Sequence, residues 1–434
     1  MGEIKMKVCV YGLGHLGLVT SICLAKEGIQ TIGLDIDSSL ITQLKSFKLP
    51  IYEPGLEEFA KEAVGNGTLS FSDNLENSIS SADIVWITFD TPVDDNDEPD
   101  IDNVIDKVKK IFPFLTEGTI VVSSSQLPVG TTYKIREEFF KVRKGSQIDF
   151  CYIPENLRLG SSVNAFMKSD FFVIGTASKK SYETLSHILT RFSQHVLHTS
   201  VPSAEMTKHA LNAFLATSVG YINEIAKLCE PVGASASEVE SALRCDPRIG
   251  KRAYVTPGLA FAGGTLARDL KYLNQMADSC EFDIPLLCNV LKSNNLHREW
   301  AFHRIVDFFG SDLRKAKIAI GGLAYKKNTS SIRRSLGIEL CRKLEKAGAE
   351  IRVFDPQVRS LPWKHTQQIT ICETIQEALK GTDAFVITTD CPEFLSIEEN
   401  VFKSLMREPT IFDPGRYLIN KTKNLKYFTV GEPS

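Results

Sequence analysis

The chain has no cysteine pair spaced as CxxC and no Cys/His cluster with zinc-ligand spacing, so neither a structural metal site nor a disulfide framework is indicated. Its ten cysteines are scattered from Cys9 to Cys391. That usage fits a reducing cytosol. Most read as small buried hydrophobes, such as Cys9 in "KVCVYG", and Cys245 and Cys280 are expected to pack in the same way. No apolar run is long enough to cross a bilayer. Neither charge sign dominates: 50 lysines and arginines against 53 acids leave a net charge of -3, which gives no support for a nucleic-acid or membrane surface. Low-complexity segments and short repeats are also missing. The opening "MGEIKMKVCVYGLG" reads as a first strand rather than a signal peptide.

What is present is enough apolar material for two or three domains. The chain has 434 residues, 43% of them hydrophobic and 24% charged. In the first half, short β-branched runs alternate with helical periodicity. "KVCVYG", "IQTIGLDID", "ADIVWITF", "TIVVSSS", "IDFCYIPE" and "FFVIG" predict strands, and "HLGLVTSICLAKEG" predicts a helix ending at Gly28. Such alternation implies a parallel sheet with helices on both faces. From about Pro202 the periodicity is helical, through "SAEMTKHALNAFLATSVGYINEIAKLCEPVG" and, with loops, to "FHRIVDFFG". "KIAIGGLAY", "EIRVFDP", "QQITICE" and "DAFVITT" then restore the alternation. The expected fold is α/β, with two doubly wound domains flanking a helical middle.

"VYGLGHLGLVT" sets Gly12, Gly14 and Gly17 in GxGxxG form, after a strand and at the start of a helix. Gly12 permits the tight turn, Gly14 lets the backbone approach a pyrophosphate, and Gly17 allows close helix–strand packing. Asp35 ends the second strand about 20 residues on, where a carboxylate bonds ribose hydroxyls and repels the extra phosphate of NADP. The motif therefore favours NAD. A glycine turn that serves packing alone would leave Asp35 unexplained.

"PIYEPGLEE", "DTP", "LPVGT", "PENLRLG", "SAEMTKHALNAF", "DPRIG", "FAGGTLARDL" and "GLAYKKNTSSIRRS" follow in this order over nearly the whole chain. In combination they resemble the UDP-glucose/GDP-mannose dehydrogenase family. The resemblance implies two Rossmann-like domains joined by a long central helix, and usually a homodimer formed through that helix. It implies an NAD-binding domain over 1–201, a helical dimerisation domain over 202–309 and a nucleotide-sugar-binding domain over 310–434. It further implies NAD-dependent oxidation of a UDP- or GDP-hexose, in typical members by two hydride transfers through a cysteine-bound intermediate.

By the same resemblance, Glu155 is an acid/base candidate. Lys208 and Asn212, i and i+4 on one helix face, would stabilise an alkoxide or hold a water, and Asp269 would orient that water. Arg248 would reach the sugar across a dimer interface, and Tyr325 and Lys326 would touch the substrate. Leu16, Thr91, Gln126 and Arg333 join the cofactor contacts, while Leu157, Arg158, Tyr254, Phe261 and Gly263 join the substrate contacts. Taken singly, Lys208 and Asn212 also suit a solvated helix face, and Arg248 a surface ion pair.

The sequence departs from the family pattern at one concentrated set of positions. Where the family carries its nucleophilic cysteine, this chain has Thr265, and the neighbouring basic residue is Arg268. Gln126 stands for a threonine, Leu159 for a glutamate, Asp90 for a small residue, and Ala260 and Ala262 for glycines. A thiolate is accessible near neutral pH, whereas a threonine hydroxyl needs a dedicated base. The covalent step is thus compromised, while the first oxidation needs only NAD, an oriented alcohol and a proton acceptor. Three readings follow: a two-electron oxidation (including a transient one, as in epimerisation), a four-electron oxidation through the aldehyde hydrate, and a catalytically impaired regulatory subunit that binds NAD or a nucleotide sugar.

Overall fold

The computed structural model describes residues 6–92, 99–157, 159–363, 368–422 and 424–433. Two compact units divide the chain, Met1–Ala210 and Leu211–Ser434.

The first unit is built on strands β1 (Lys7–Tyr11), β2 (Gln30–Leu34), β3 (Leu69–Ser72), β4 (Ile84–Ile87), β5 (Ile120–Ser123), β6 (Asp149–Tyr152), β7 (Phe172–Gly175) and β8 (Val196–Thr199). They lie in the order β3-β2-β1-β4-β5-β6-β7-β8. The first six strands form the 3-2-1-4-5-6 arrangement of a dinucleotide-binding sheet. Alternate side chains feed opposite faces, as a period of two requires. Val8, Val10, Ile84, Trp86, Ile120 and Val122 pack on one side and Cys9, Tyr11, Val85, Ile87 and Val121 on the other. Helix His15–Lys26 covers the first face with every residue from Leu16 to Ala25 buried. It stops where the sequence predicts. Gly28 takes φ +80°, and Ile29 N–H bonds Leu24 O at 3.2 Å in a left-handed cap.

One expectation is corrected. The sheet is not wholly parallel, because β7 runs antiparallel to β6, meeting it at Tyr152 and Gly175. A chain that re-enters the sheet at the edge where it left has no need of a full crossover. Among the described residues of this connection, the one helix is the six-residue Ser162–Met167. The "PENLRLG" segment therefore stays at the C-terminal edge of the strands, where open α/β sheets bind ligands.

The second unit holds β9 (Lys317–Gly321), β10 (Glu350–Phe354), β11 (Ile369–Ile371), β12 (Ala384–Ile387), β13 (Thr410–Phe412) and β14 (Lys426–Phe428). Their order, β11-β10-β9-β12-β13-β14, is again 3-2-1-4-5-6, here with every neighbouring pair parallel. Helices Ala236–Cys245, Thr265–Ser279, Pro285–His297 and Trp300–Phe309 precede this sheet. The 29-residue helix Val201–Cys229 joins the two units, and at 1.5 Å per residue it is about 43 Å long. Its Pro202 falls in the first turn, where a missing N–H costs little.

The two sheets share one turn. Gly12 (φ +101°) and Gly322 (φ +106°) each follow a first strand, and a Cβ on Gly17 or Gly337 would strike the carbonyl of Gly12 or Gly322 respectively. Thr88 Oγ1 donates to Gly12 O at 2.8 Å, and Thr388 Oγ1 donates to Gly322 O at 2.6 Å. Gly12 and Gly17 are five residues apart, whereas Gly322 and Gly337 are fifteen apart, so the second turn carries ten extra residues. Tyr325, Lys326 and Arg333 lie within that insertion.

Candidate active site

In the first unit, the glycine turn sets up an anion site from backbone alone. Gly14 precedes helix His15–Lys26 and no side chain caps that end, so the first N–H groups face outward. Half-buried Asp35 accepts from Leu13 N–H at 2.8 Å and Asp37 N–H at 3.1 Å. A carboxylate has about four lone-pair positions, which leaves room for a ribose diol. Asp355 at the end of β10 differs: it takes N–H groups from Leu323, Ala324, Gln357 and Val358 at 2.6 to 2.9 Å, so backbone fills it. The first turn thus fits a dinucleotide, and the equivalent acid of the second is structural. Thr91 Oγ1 donates to Gln126 O at 2.7 Å, and both residues are buried.

Beyond β6, Leu16, Glu155 and Leu157 line one cleft together with Trp86, Ser124 and Phe171. Lys208 is buried at 5% exposure, and its Nζ donates to Glu155 O at 2.5 Å and reaches Glu155 Oε1 at 3.3 Å. A buried ammonium needs such partners. The solvated-face reading of Lys208 is therefore excluded. Glu155 Oε2 also accepts from Leu157 N–H at 2.9 Å, which fixes the carboxylate. Arg158 lies outside the described residues.

In the second unit, Asn212 Nδ2 donates to Asp269 Oδ2, and both side chains are buried, so Asn212 is not on a solvated face either. Thr265 is the exposed first residue of its helix, one turn before Asp269. Gly263 (φ +72°) brings the loop against Tyr325, whose ring lies 2.8 Å from where a Cβ would stand. Gly264 lies against Arg333 in the same way, with Nε 3.1 Å from that position. Lys326 Nζ sits 5.5 Å from the Tyr325 ring centre, and burial pushes the Tyr325 phenol above its ordinary pKa. Phe261 is buried, while Tyr254 is 57% exposed. Arg248 is turned on its neighbour Asp246, with Nη2 to Oδ2 at 2.6 Å, in an exposed pair that holds the Asp246 carboxyl below the usual range. Among the described residues, no group of three or more His, Cys, Asp or Glu is placed to hold a metal ion.

Three family models match the chain in sequence order. The NAD binding domain of the UDP-glucose/GDP-mannose dehydrogenase family covers 6–193, its central domain 202–296 and its UDP binding domain 319–420. The chain is 34% identical to the UDP-glucose 6-dehydrogenase YwqF of Bacillus subtilis (strain 168), over 98% of both chains. It belongs to the UDP-glucose/GDP-mannose dehydrogenase family. It is 32% identical to the UDP-glucose 6-dehydrogenase TuaD of the same organism, over 99% of this chain and 94% of that protein. The structure of a UDP-glucose dehydrogenase from Pyrobaculum islandicum superposes with a TM-score of 0.88 at 26% identity, covering 100% of both chains. The protein is an NAD-dependent nucleotide-sugar dehydrogenase acting on a CH–OH group, and its fold is the family's pair of Rossmann-like sheets with a helical central region.

The geometry adds residues that sequence reasoning missed. Buried Glu205 accepts from Gly130 N–H (2.6 Å) and Thr132 N–H (2.9 Å), and His209 Nε2 bonds Leu127 O at 3.0 Å. Both flank Lys208 and dock this end of the long helix on the "LPVGT" loop. Asn294 clamps Phe261 through N–H (2.8 Å) and C=O (3.0 Å), and Arg298 donates to Phe261 O and to Arg334 O. The signal for each was an i, i+3 or i, i+4 relation on a helix, without a partner visible in sequence. A second correction concerns cysteines: Cys245 and Cys280 do not pack but are exposed, as helix-terminal residues often are, whereas seven of the ten are buried.

One side chain runs against the cofactor site. Asp90 Oδ2 lies 3.0 Å from where a Cβ on Gly14 would stand, beside the glycine expected to approach a bound pyrophosphate. A carboxylate near a bound diphosphate would cost binding, and the cost would be screened by salt. Asp90→Ala is expected to tighten NAD about tenfold at low ionic strength and less at 0.5 M salt. Calorimetric titration with NAD checks this; unchanged or weaker binding rejects it.

Proposed function

We propose that this family member oxidises a hydroxyl of a UDP- or GDP-hexose to the carbonyl level and stops after two electrons. The observation that carries the reading is Thr265, exposed at a helix N-terminus where the family's thiol would stand, one turn before the retained Asp269. Bound NAD supplies the hydride acceptor. Lys208, held by Glu155, neutralises negative charge developing on the sugar oxygen, and Asn212 holds the same oxygen or a water. Asp269, oriented by Asn212, receives the proton. The UDP binding domain match over 319–420 favours a UDP-sugar. The proposal assigns NAD binding to 1–201, dimerisation to 202–309 and nucleotide-sugar binding to 310–434, which the family-model matches over 6–193, 202–296 and 319–420 support.

A homodimer through the long helix is part of the proposal. Phe214, Tyr221 and Leu228 recur every seven residues along it, at 69%, 48% and 65% exposure, and form an apolar stripe suited to a second copy. Arg248 would then act on the partner's site. The cysteine usage supports a reducing cytosol; no described helix is long and apolar enough to cross a membrane.

Purified protein incubated with NAD and a panel of UDP- and GDP-sugars should give one NADH per sugar and a product two mass units lighter, and light scattering should read a dimer. Two NADH per sugar with a uronic acid would overturn the two-electron reading in favour of the hydrate route. Binding without turnover would favour a regulatory subunit.

A further inference from the structure

Glu53, in "PIYEPGLEE", belongs to neither set of residues considered so far. It is 4% exposed and its carboxylate is fully occupied. His15 Nε2 meets Oε1 at 2.8 Å, Gly160 N–H donates to Oε1 at 2.7 Å, and Ser162 donates to Oε2 through N–H at 3.0 Å and to Oε1 through Oγ at 3.1 Å. Ser162 Oγ is also 3.1 Å from His15 Nε2. Burial opposes ionisation here, but the hydrogen bonds from His15, Gly160 and Ser162 outweigh it and hold the carboxyl below its ordinary range. An ionised carboxylate only accepts, so His15 carries its proton on Nε2.

The partners belong to two different segments. His15 is the first residue of the helix that follows the glycine turn, so its position bears on the uncapped N–H groups that would meet a bound pyrophosphate. Gly160 closes the "PENLRLG" segment that carries Glu155 and Leu157, and Ser162 opens the next helix. One buried charge thus ties the cofactor turn to the segment assigned to the sugar. Both ends are held by charge-assisted bonds, which are about twice as strong as neutral ones.

We propose that Glu53 is a positioning residue that couples the two binding events, acting through His15 on the NAD turn and through Gly160 and Ser162 on the sugar segment. Its NAD arm rests on the family assignment, and its sugar arm on the nucleotide-sugar reading above. A ligand that orders one segment orders the other through the shared carboxylate, so each ligand raises the affinity of the other by the same factor.

The test is calorimetry on full-length wild type, Glu53→Gln and Ser162→Ala, with NAD alone, UDP-glucose alone, and each in the presence of the other. Glu53→Gln keeps the shape and removes the charge. It is expected to weaken NAD about tenfold or more, and to bring the linkage factor between NAD and UDP-glucose close to one. Ser162→Ala removes one hydroxyl and should lower the linkage about threefold, with NAD alone nearly unchanged. A His15→Ala/Glu53→Gln cycle should be non-additive for NAD. A purely structural role would lower the melting temperature while leaving the linkage intact. That result, in whichever variant folds, overturns the proposal. If wild type binds NAD but not UDP-glucose, the substrate reading fails, and NAD affinity in Glu53→Gln and the His15 cycle still decides the role of Glu53.

Discussion

Replacing Lys208 by methionine is expected to lower kcat for sugar oxidation by about 10² to 10⁴, with NAD affinity within about twofold of wild type. Lys208 is buried and held by the carbonyl and carboxylate of Glu155. Methionine retains most of the volume and removes the cation. An alkoxide forming on the substrate then loses its counter-charge in a site shielded from water, where that charge matters most. The glycine turn and Asp35, the expected NAD contacts, are untouched. The substitution also leaves half-buried Glu155 without its cation, so some stability should be lost. Steady-state kinetics with protio UDP-glucose and UDP-glucose deuterated at the oxidised carbon separate the two effects. Loss of transition-state stabilisation raises the isotope effect on kcat, whereas partial unfolding lowers the active fraction and leaves the isotope effect alone. A kcat within threefold of wild type would remove Lys208 from the chemistry.

The sequence announces such a site unevenly. Continuous apolar runs mark the central strands, because a strand buried on both faces has no polar side. "ADIVWITF" and "DAFVITT" become β4 and β12 for that reason. The strands that went unpredicted are short, and three are sheet edges: β3, β8 and β14, with four, four and three residues. An edge strand buries less, and β8 has exposed Leu197 and His198 in its middle. The antiparallel turn into β7 was hidden because a strand's direction leaves no trace in its own composition.

At the site, the pattern is legible where backbone demands a residue type and illegible where a side chain finds a distant partner. Gly12, Gly14, Gly17 and Asp35 follow from the turn itself. The pairing of Lys208 with Glu155 spans 53 residues and that of Asn212 with Asp269 spans 57, so each needed the fold or a family resemblance to be seen. Glu53 is the extreme case. Its partners lie 38, 107 and 109 residues away, and nothing local separates it from the solvated acids Glu57 and Glu58.

Thr265→Cys should change the product rather than the rate. Thr265 opens the fifteen-residue helix Thr265–Ser279 and is exposed, so a thiol there meets the positive end of the helix dipole, which lowers its pKa. Other cysteines are poor substitutes in the wild type. Burial pushes the Cys23, Cys151 and Cys391 thiols up to about 12. Cys280 caps the far end of the same helix, about 22 Å along its axis. Wild type is therefore expected to release one NADH per sugar. Thr265→Cys should capture the aldehyde as a thiohemiacetal, pass a second hydride to NAD, and yield uronate after water cleaves the thioester. Two NADH per sugar and the acid product, read by absorbance and mass spectrometry, are the expected result. A protein adduct that forms but does not turn over would place the remaining block at water delivery, where Leu159 stands for the family's glutamate, and Thr265→Cys/Leu159→Glu should release it. A wild type that already makes the acid, or a cysteine variant that never forms an adduct, would mean that the identity of residue 265 does not decide how far the oxidation goes.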